Sequence, residues 1–267
     1  MATHHFQPEV FPPILGPGQP FKFGEMRGLT PSAIWFHDDF IAGLPCSETA
    51  GAAGSPPGAG WKLTLIDGGG DNGEIVGPIV DGVGGILKLT TNDADNDALE
   101  VQMAGSSFAL ASGRSMVFEI RMAIEDVSET DWFVGFAIGA DTTILTGCTD
   151  FIGFGNTADA GDIMCVNGKN ASGEVADGGS GTTLTDSGEE FGDSTATAAT
   201  IISALKTLRV EIDGTTEARF YVDNKLVATH TTNLPDDEDL SPAICLRTAG
   251  AAAETLYADW LTVGMTR

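Results

Sequence analysis

Two acidic residues, Glu211 and Asp213, come nearest in this sequence to a catalytic arrangement. They stand two positions apart, so in a β-strand both side chains would lie on the same face. A retaining glycosidase uses two carboxylates about 5 Å apart as acid and nucleophile. The pair alone does not define a site, because any strand with one solvated face alternates polar residues in the same way. We interpret Glu211 and Asp213 as the polar face of a strand and its turn, and predict no catalytic residue.

Histidine and cysteine residues show no spacing typical of catalysis or metal binding. His37 and His230 lack the serine or cysteine partner pattern of nucleophilic catalysis. The cysteines contain no CxxC pair and have no histidine at zinc-ligand spacing, so we interpret them as buried free thiols; they are Cys46, Cys148, Cys165 and Cys245. The sequence predicts no cofactor.

The acidic run Asn92–Asp97 imitates the opening of a calcium-binding loop, with oxygen ligands on alternate residues. Counted from Asp93, the run lacks the glycine at the sixth position, which is Ala98. It also lacks the closing glutamate at the twelfth position, which is Ala104. A weak surface calcium site is one alternative, but we favour an acidic hairpin tip and predict no metal site.

Tryptophans are candidate platforms for sugar rings. Trp35, Trp61, Trp132 and Trp260 each lie within a strand-like apolar run. Core packing is the default for such positions. Carbohydrate binding therefore stays an alternative that requires an exposed tryptophan.

The charge balance excludes some classes of partner. Lysine and arginine total 13 against 38 acidic residues, which gives a net charge of −25 and a pI near 4.1. Such a surface repels nucleic-acid phosphates, so nucleic-acid binding is not expected. No window approaches 18 apolar residues and the start MATHHFQPEV has no secretory pattern, so we expect no membrane segment and synthesis in the cytosol.

The elements that must position these residues are short strands. The chain has 35 glycines, 12 prolines and 42% hydrophobic residues, which favours many strands joined by turns over long helices. The stretch Arg209–Thr232 alternates apolar and polar residues in three runs, separated by Asp213-Gly214-Thr215 and Asp223-Asn224. This pattern predicts a three-stranded antiparallel meander whose buried face needs a second layer. The buried face should include Leu226 and Ala228. The fold class is therefore all-β, a sandwich or barrel.

A proline-rich segment without periodicity precedes the strands. Prolines favour extended backbone, whereas a disordered tail normally lacks aromatic residues. We predict an extended arm over residues 1–32 and one sandwich domain over residues 33–267. The arm should lay its large apolar side chains into grooves on its own domain or on another subunit; they are Phe6, Val10, Phe11, Ile14, Leu15, Phe21 and Phe23.

The order of several motifs resembles a group of tailed-phage virion proteins. The motifs are FHDDF at 36–40, GRSMVFEIRMAIEDVSETDWFVGFAIGADT at 113–142, TDFIGF at 149–154, YVDNKLVATHTTNLPDDEDLSP at 221–242 and YADWLTV at 257–263. The resemblance covers about Trp35 to Val263 and implies a concanavalin A-like lectin/glucanase jelly roll.

The resemblance also implies a function. Proteins of this group look like capsid decoration or cement proteins, often trimers, that bind the major capsid protein on the outside of the virion. The resemblance implies that the apolar residues of the arm bind the capsid or a neighbouring subunit. The glucanase branch of the fold carries a Glu-x-Asp-x-x-Glu motif, and here Thr216 stands in place of the third acid. The chain is therefore expected to be a bacteriophage virion structural protein and not an enzyme. The alternative is a non-catalytic, lectin-like module that binds a glycan on the virion surface.

Overall fold

Two antiparallel β-sheets pack face to face and enclose one main hydrophobic core. The structure is a computed structural model that describes residues 33–40, 60–66, 75–78, 85–139, 144–157, 161–192 and 203–266. Helix is scarce in these residues, and the helix that matters for the site is α1, Ile144–Gly147. The predicted all-β sandwich is confirmed. No helix in the described part of the chain is long and apolar enough to cross a membrane.

Within the described ranges, each sheet has eight strands. The first sheet contains β1 (Ala33–Asp38), β3 (Ile75–Pro78), β4 (Leu87–Thr90), β7 (Ser115–Ile124), β12 (Lys206–Asp213), β13 (Glu217–Val222), β14 (Lys225–His230) and β16 (Thr255–Thr266). The second sheet contains β2 (Trp61–Ile66), β5 (Ala98–Met103), β6 (Phe108–Ala109), β8 (Thr130–Ile138), β9 (Phe151–Asn156), β10 (Asp162–Gly168), β11 (Thr182–Glu190) and β15 (Asp239–Thr248). We call the face of each sheet that points away from the core its outer face.

The alternation of strand β7 explains how the sheets pack. Its core-facing side chains are at most 3% exposed, and they are Met116, Phe118, Ile120, Met122 and Ile124. Glu119 and Arg121 lie on the outer face, as the sequence predicts. At about 25 cal/mol per Å² of apolar surface, each of these large side chains contributes about 2 kcal/mol by burial.

The predicted meander is confirmed as β12, β13 and β14, which pair antiparallel in sequence order. Asp223 and Asn224 form its second turn with φ of 48° and 66°. Leu226 was predicted to be buried, and this prediction is wrong because its side chain is 50% exposed. A register shift between Phe220 and Tyr221 pairs Leu226 with Tyr221 on the outer face. A bulge of this kind reverses the alternation beyond it.

One connection differs from the sequence-based expectation. The run Asn92–Asp97 is not a hairpin tip, because it joins β4 in the first sheet to β5 in the second. Its Asp97 carboxylate is buried and accepts the N–H of Ala94 at 3.1 Å. The stretch after Asn167 contains strand β11, which pairs with β10 and forms one edge of the second sheet.

The N-terminal arm, residues 1–32, lies outside the described residues. Its seven apolar candidates therefore remain sequence-based predictions, as does the domain boundary at residue 33. Cys46 also lies outside the described residues.

Candidate functional site

A cluster of charged side chains lies on the outer face of the second sheet. Glu100 in β5, Arg247 in β15 and Asp131 in β8 occupy neighbouring strands, and Arg247 is directly opposite both Asp131 and Ala98. Glu174, from the loop after β10, completes the cluster. Asp131 and Glu100 are 2% and 3% exposed, so these two carboxyl groups are shielded from solvent.

Arg247 holds two carboxylates together. Its Nε and Nη2 donate to Asp131 Oδ2 at 2.8 and 2.5 Å, and Nη2 also donates to Glu174 Oε1 at 3.0 Å. Charge-assisted bonds of this type are about twice as strong as neutral ones. They fix the guanidinium and anchor the Glu174 loop to the sheet.

Glu100 has the perturbed acidity typical of functional carboxyl groups. Burial raises its pKa from 4.5 to about 7, while the N–H groups of Ile144 and Leu145 and the charges of Lys62 and Arg247 lower it. Its Oε1 accepts the Ile144 N–H at 2.5 Å. Near neutral pH the carboxyl group therefore exists in both protonation states and can either donate or accept a hydrogen bond.

Two loops cover the centre of this outer face. The segment with α1 and the loop 169–181 bind each other through Val175 N–H to Leu145 O at 3.0 Å and Ala171 N–H to Thr149 O at 2.8 Å. Beneath them lies an apolar cluster whose members come from both sheet and loops: Phe133, Ala137, Phe151, Val166, Ala243, Cys245, Ile144, Leu145, Cys148, Ala171, Val175 and Ala176. The middle of the sheet face is thus filled by the chain itself.

A pocket remains beside the covered region. Its volume is about 140 Å³, and its lining consists of Ile66, Asn96, Ala98, Glu100, Leu145, Thr146 and Arg247. Pockets for drug-sized ligands measure roughly 300–1,000 Å³. This pocket is therefore suited to one small polar unit and not to an extended chain.

The acidic pair singled out in the sequence lies on the opposite side of the sandwich. Glu211 lies on the outer face of the first sheet, where Arg209 Nε is 3.2 Å and Arg219 Nη2 is 3.7 Å from its carboxylate. Asp213 is exposed at the end of β12. The interpretation as a polar strand face and turn is confirmed. Glu211 is nevertheless only 5% exposed, which the sequence did not indicate.

The tryptophans divide into two groups. Trp61 and Trp132 are each 1% exposed and lie in the core, as predicted. Trp260 is half-buried on the outer face of the first sheet, so the expectation of core packing is wrong for this residue. The side chain of Trp35 lies outside the described residues.

His230 links the two sheets and has no catalytic partner geometry. Its Nδ1 lies 2.5 Å from Asn167 Oδ1 and its Nε2 lies 2.9 Å from Thr185 Oγ1. Burial lowers its pKa to about 4, so the ring is neutral at physiological pH. This environment is that of a structural histidine.

Cys148, Cys165 and Cys245 are free and buried, as predicted. Among the described residues, no group of three or more histidine, cysteine or acidic side chains is arranged to hold a metal ion.

Sequence reasoning missed all four members of the charged cluster. Asp131 lies inside β8. One signal was available: Arg247 ends the otherwise apolar run Ala243–Leu246, and an arginine in a buried strand requires a carboxylate partner. The sequence does not show which of the many acidic residues that partner is.

Comparison with known proteins identifies the fold. No protein-family profile and no curated protein sequence matches the chain significantly. The solved structure of an endo-1,3-β-glucanase from Streptomyces sioyaensis is 16% identical, with a TM-score of 0.53 over 89% of this chain and 98% of that one. SCLam, a non-specific endo-β-1,3(4)-glucanase, is 11% identical, with a TM-score of 0.54 over 93% and 95%. The Bacillus licheniformis β-glucanase is 13% identical, with a TM-score of 0.51 over 86% and 97%.

These similarities confirm the concanavalin A-like lectin/glucanase jelly roll. They also correct the prediction that the chain is not an enzyme. The three solved structures named above are glucanases, so the lack of a Glu-x-Asp-x-x-Glu motif around Glu211 does not exclude enzymatic activity. At 11 to 16% identity the similarity shows the fold alone and assigns no substrate.

Proposed function

We propose that this chain recognises a carbohydrate and that the Glu100 pocket receives one sugar unit. The observation that carries the proposal is the pocket itself, which combines a carboxyl group, a fixed guanidinium and the small polar side chains of Asn96 and Thr146. Sugar hydroxyls both donate and accept hydrogen bonds, so they pair with a carboxyl group and with an arginine at the same time. The glucanase neighbours share the fold and, by their names, act on glucans.

The size of the pocket restricts how a glycan binds. Because the middle of the outer face is filled by the loop-covered apolar cluster, a polysaccharide does not lie across this sheet. A volume of about 140 Å³ accepts the end of a glycan chain or a single branch. The ligand is therefore a terminal sugar.

The test is a glycan array probed with the full chain and two variants. Thr146→Trp places an indole in the pocket from an exposed position, and should lower binding of the glycans that the pocket recognises at least tenfold. Thr229→Trp adds the same side chain to an exposed position on β14 in the other sheet, and should leave binding unchanged. Equal binding by both variants would refute the pocket as the site.

The wild-type chain and the glycans that it binds on the array also serve to test for catalysis. Release of reducing sugar by the wild type from a bound glycan, and its loss in Glu100→Gln, would show that the pocket also hydrolyses its ligand. A carboxyl group with a pKa of about 7 is suited to act as a general acid.

A second candidate function is attachment to a phage capsid as a decoration protein. Leu226 is the one large apolar side chain that is exposed among the described residues, so their surface offers no apolar patch for tight attachment. The arm supplies seven large apolar residues instead, and each buried phenylalanine contributes on the order of 2 kcal/mol. In this proposal the partner is the major capsid protein, the chain is a trimer, and the glycan site faces outward on the virion.

The arm is tested in the full chain by replacing four phenylalanines with serine, at Phe6, Phe11, Phe21 and Phe23. The variant should remain folded and should no longer sediment with purified capsids of the phage that encodes it. Undiminished sedimentation would refute attachment through the arm.

A further inference from the structure

We infer that the outer face of the first sheet carries a second saccharide site, a platform built on Trp260. An irregularity in the backbone of β16 places this tryptophan on the outer face. A register shift between Ala258 and Trp260 in β16 places Asp259 and Trp260 side by side on the outer face, while Ala258 and Leu261 remain in the core. Bulges commonly re-aim side chains in this way next to functional sites.

Polar pairs flank the indole on two sides. Arg121 Nη1 donates to Asp259 Oδ2 at 2.8 Å on the neighbouring strand. On the other side, His37 Nδ1 and Thr262 Oγ1 are 2.8 Å apart, and the His37 ring centroid lies 6.3 Å from that of Trp260. We call these five residues the Trp260 platform.

The chemistry of the platform fits a pyranose ring. A pyranose presents an apolar face of C–H groups and an edge of hydroxyls, so it stacks on an aromatic ring while its edge bonds to polar neighbours. Tryptophan suits this role because it offers a large, rigid apolar surface with a polar tip. Trp61 and Trp132, which serve only the core, are 1% exposed, whereas Trp260 presents part of its ring outward.

The charges narrow the ligand class to neutral saccharides. Arg121 and Asp259 form an ion pair, so the charge of Arg121 is balanced within the platform and does not favour an acidic sugar. The chain as a whole carries a net charge of −25 and repels polyanions. Uronate-rich or sialylated glycans should therefore bind less well than neutral ones.

The platform and the Glu100 pocket lie on opposite outer faces of the sandwich. A single glycan-coated surface therefore contacts one of them at a time, and the platform and the pocket act as separate sites. The binding tests of the two sites have independent outcomes, so the proposal of the platform does not rest on the proposal of the pocket.

The experiment uses the full chain with the pocket blocked. In the Thr146→Trp background, binding to an array of neutral and acidic glycans reports the platform. Adding Trp260→Ala should lower that binding at least tenfold, and Trp260→Phe, which keeps an aromatic surface, should lose less. Leu226→Ala, an exposed apolar residue of the same sheet, should leave it unchanged.

Several outcomes would overturn the inference. Unchanged binding after Trp260→Ala, absence of any binding in the Thr146→Trp background, or binding confined to acidic glycans would each do so. A Trp260→Ala variant that binds glycans normally but fails to sediment with capsids would reassign the platform to a protein contact. Thermal unfolding of each variant confirms that the comparison is between folded proteins.

Discussion

Replacement of Glu100 by glutamine should change how stability depends on pH. Glutamine has the same shape and can still accept the Ile144 N–H, but it cannot ionise. Burial raises the pKa of Glu100 from 4.5 to about 7, so the unfolded chain releases this proton at a lower pH than the folded chain does. The wild type therefore loses stability from this group as pH rises through the window between 4.5 and 7, and the loss is complete above pH 7.

The magnitude follows from the two pKa values. One pH unit corresponds to 1.36 kcal/mol, and between pH 5 and pH 8 the group costs the wild type about 2.5 kcal/mol of unfolding free energy. Because the other titrating groups are common to both proteins, this cost appears in the difference between them. Relative to wild type, Glu100→Gln should gain about 2.5 kcal/mol over that range.

The assay is urea unfolding of both proteins at pH 5, 6, 7 and 8. Glu238→Gln, at an exposed position in the loop before β15, is the matched control and should follow the wild type at every pH. A difference between Glu100→Gln and wild type that does not vary with pH would refute the account of Glu100 as a buried carboxyl group of raised pKa.

Three further predictions follow from other contacts. Arg247→Ala should destabilise the fold by about 3–5 kcal/mol in urea unfolding, because it leaves the buried Asp131 carboxylate uncompensated. Arg121→Ala breaks a partly exposed ion pair and should cost under about 1 kcal/mol. Equal costs for the two variants would contradict this ranking. Gly153→Ala should prevent folding or sharply lower the melting temperature, since its Cβ would lie 2.1 Å from Val134 O. Gly192→Ala is the control, because its Cβ meets nothing within 4 Å and the variant should be tolerated. A normal melting temperature for Gly153→Ala would show that β8 and β9 lie further apart than the structure has them. In a Cys46→Ser background the native protein should not react with a thiol reagent until it is unfolded. Burial raises the pKa of Cys148 and Cys165 to about 12 and that of Cys245 well above its usual value, so these thiols stay protonated and inaccessible. Rapid labelling of the native protein would contradict their burial.

The local part of the fold could be read from the sequence. Alternation at Leu208, Val210 and Ile212 and the Asp223-Asn224 turn each depend on neighbours in the chain, and the structure confirms them. Leu226 could not be predicted because a single bulge reverses the alternation beyond it. The role of Asn92–Asp97 depended on which sheet each flanking strand joins, and adjacent strands in the chain usually pair with each other.

The candidate site was beyond local reasoning for a different reason. Arg247 and Asp131 are 116 positions apart, and Glu174 reaches them from a loop. Their pairing depends on the neighbouring positions of β8 and β15, and no spacing in the sequence encodes that. Trp260 was misplaced because an apolar run predicts burial on both sides, whereas the bulge at Asp259 turns this ring outward.

The measurement that tests the central claim most directly is calorimetric titration of the full chain with a soluble form of a glycan selected on the array. The account predicts saturable binding by the wild type and by Thr229→Trp, and at least a tenfold loss of affinity in Thr146→Trp, whose new side chain fills the Glu100 pocket. Affinity of Thr146→Trp equal to that of the wild type would contradict the assignment of this pocket as a carbohydrate site.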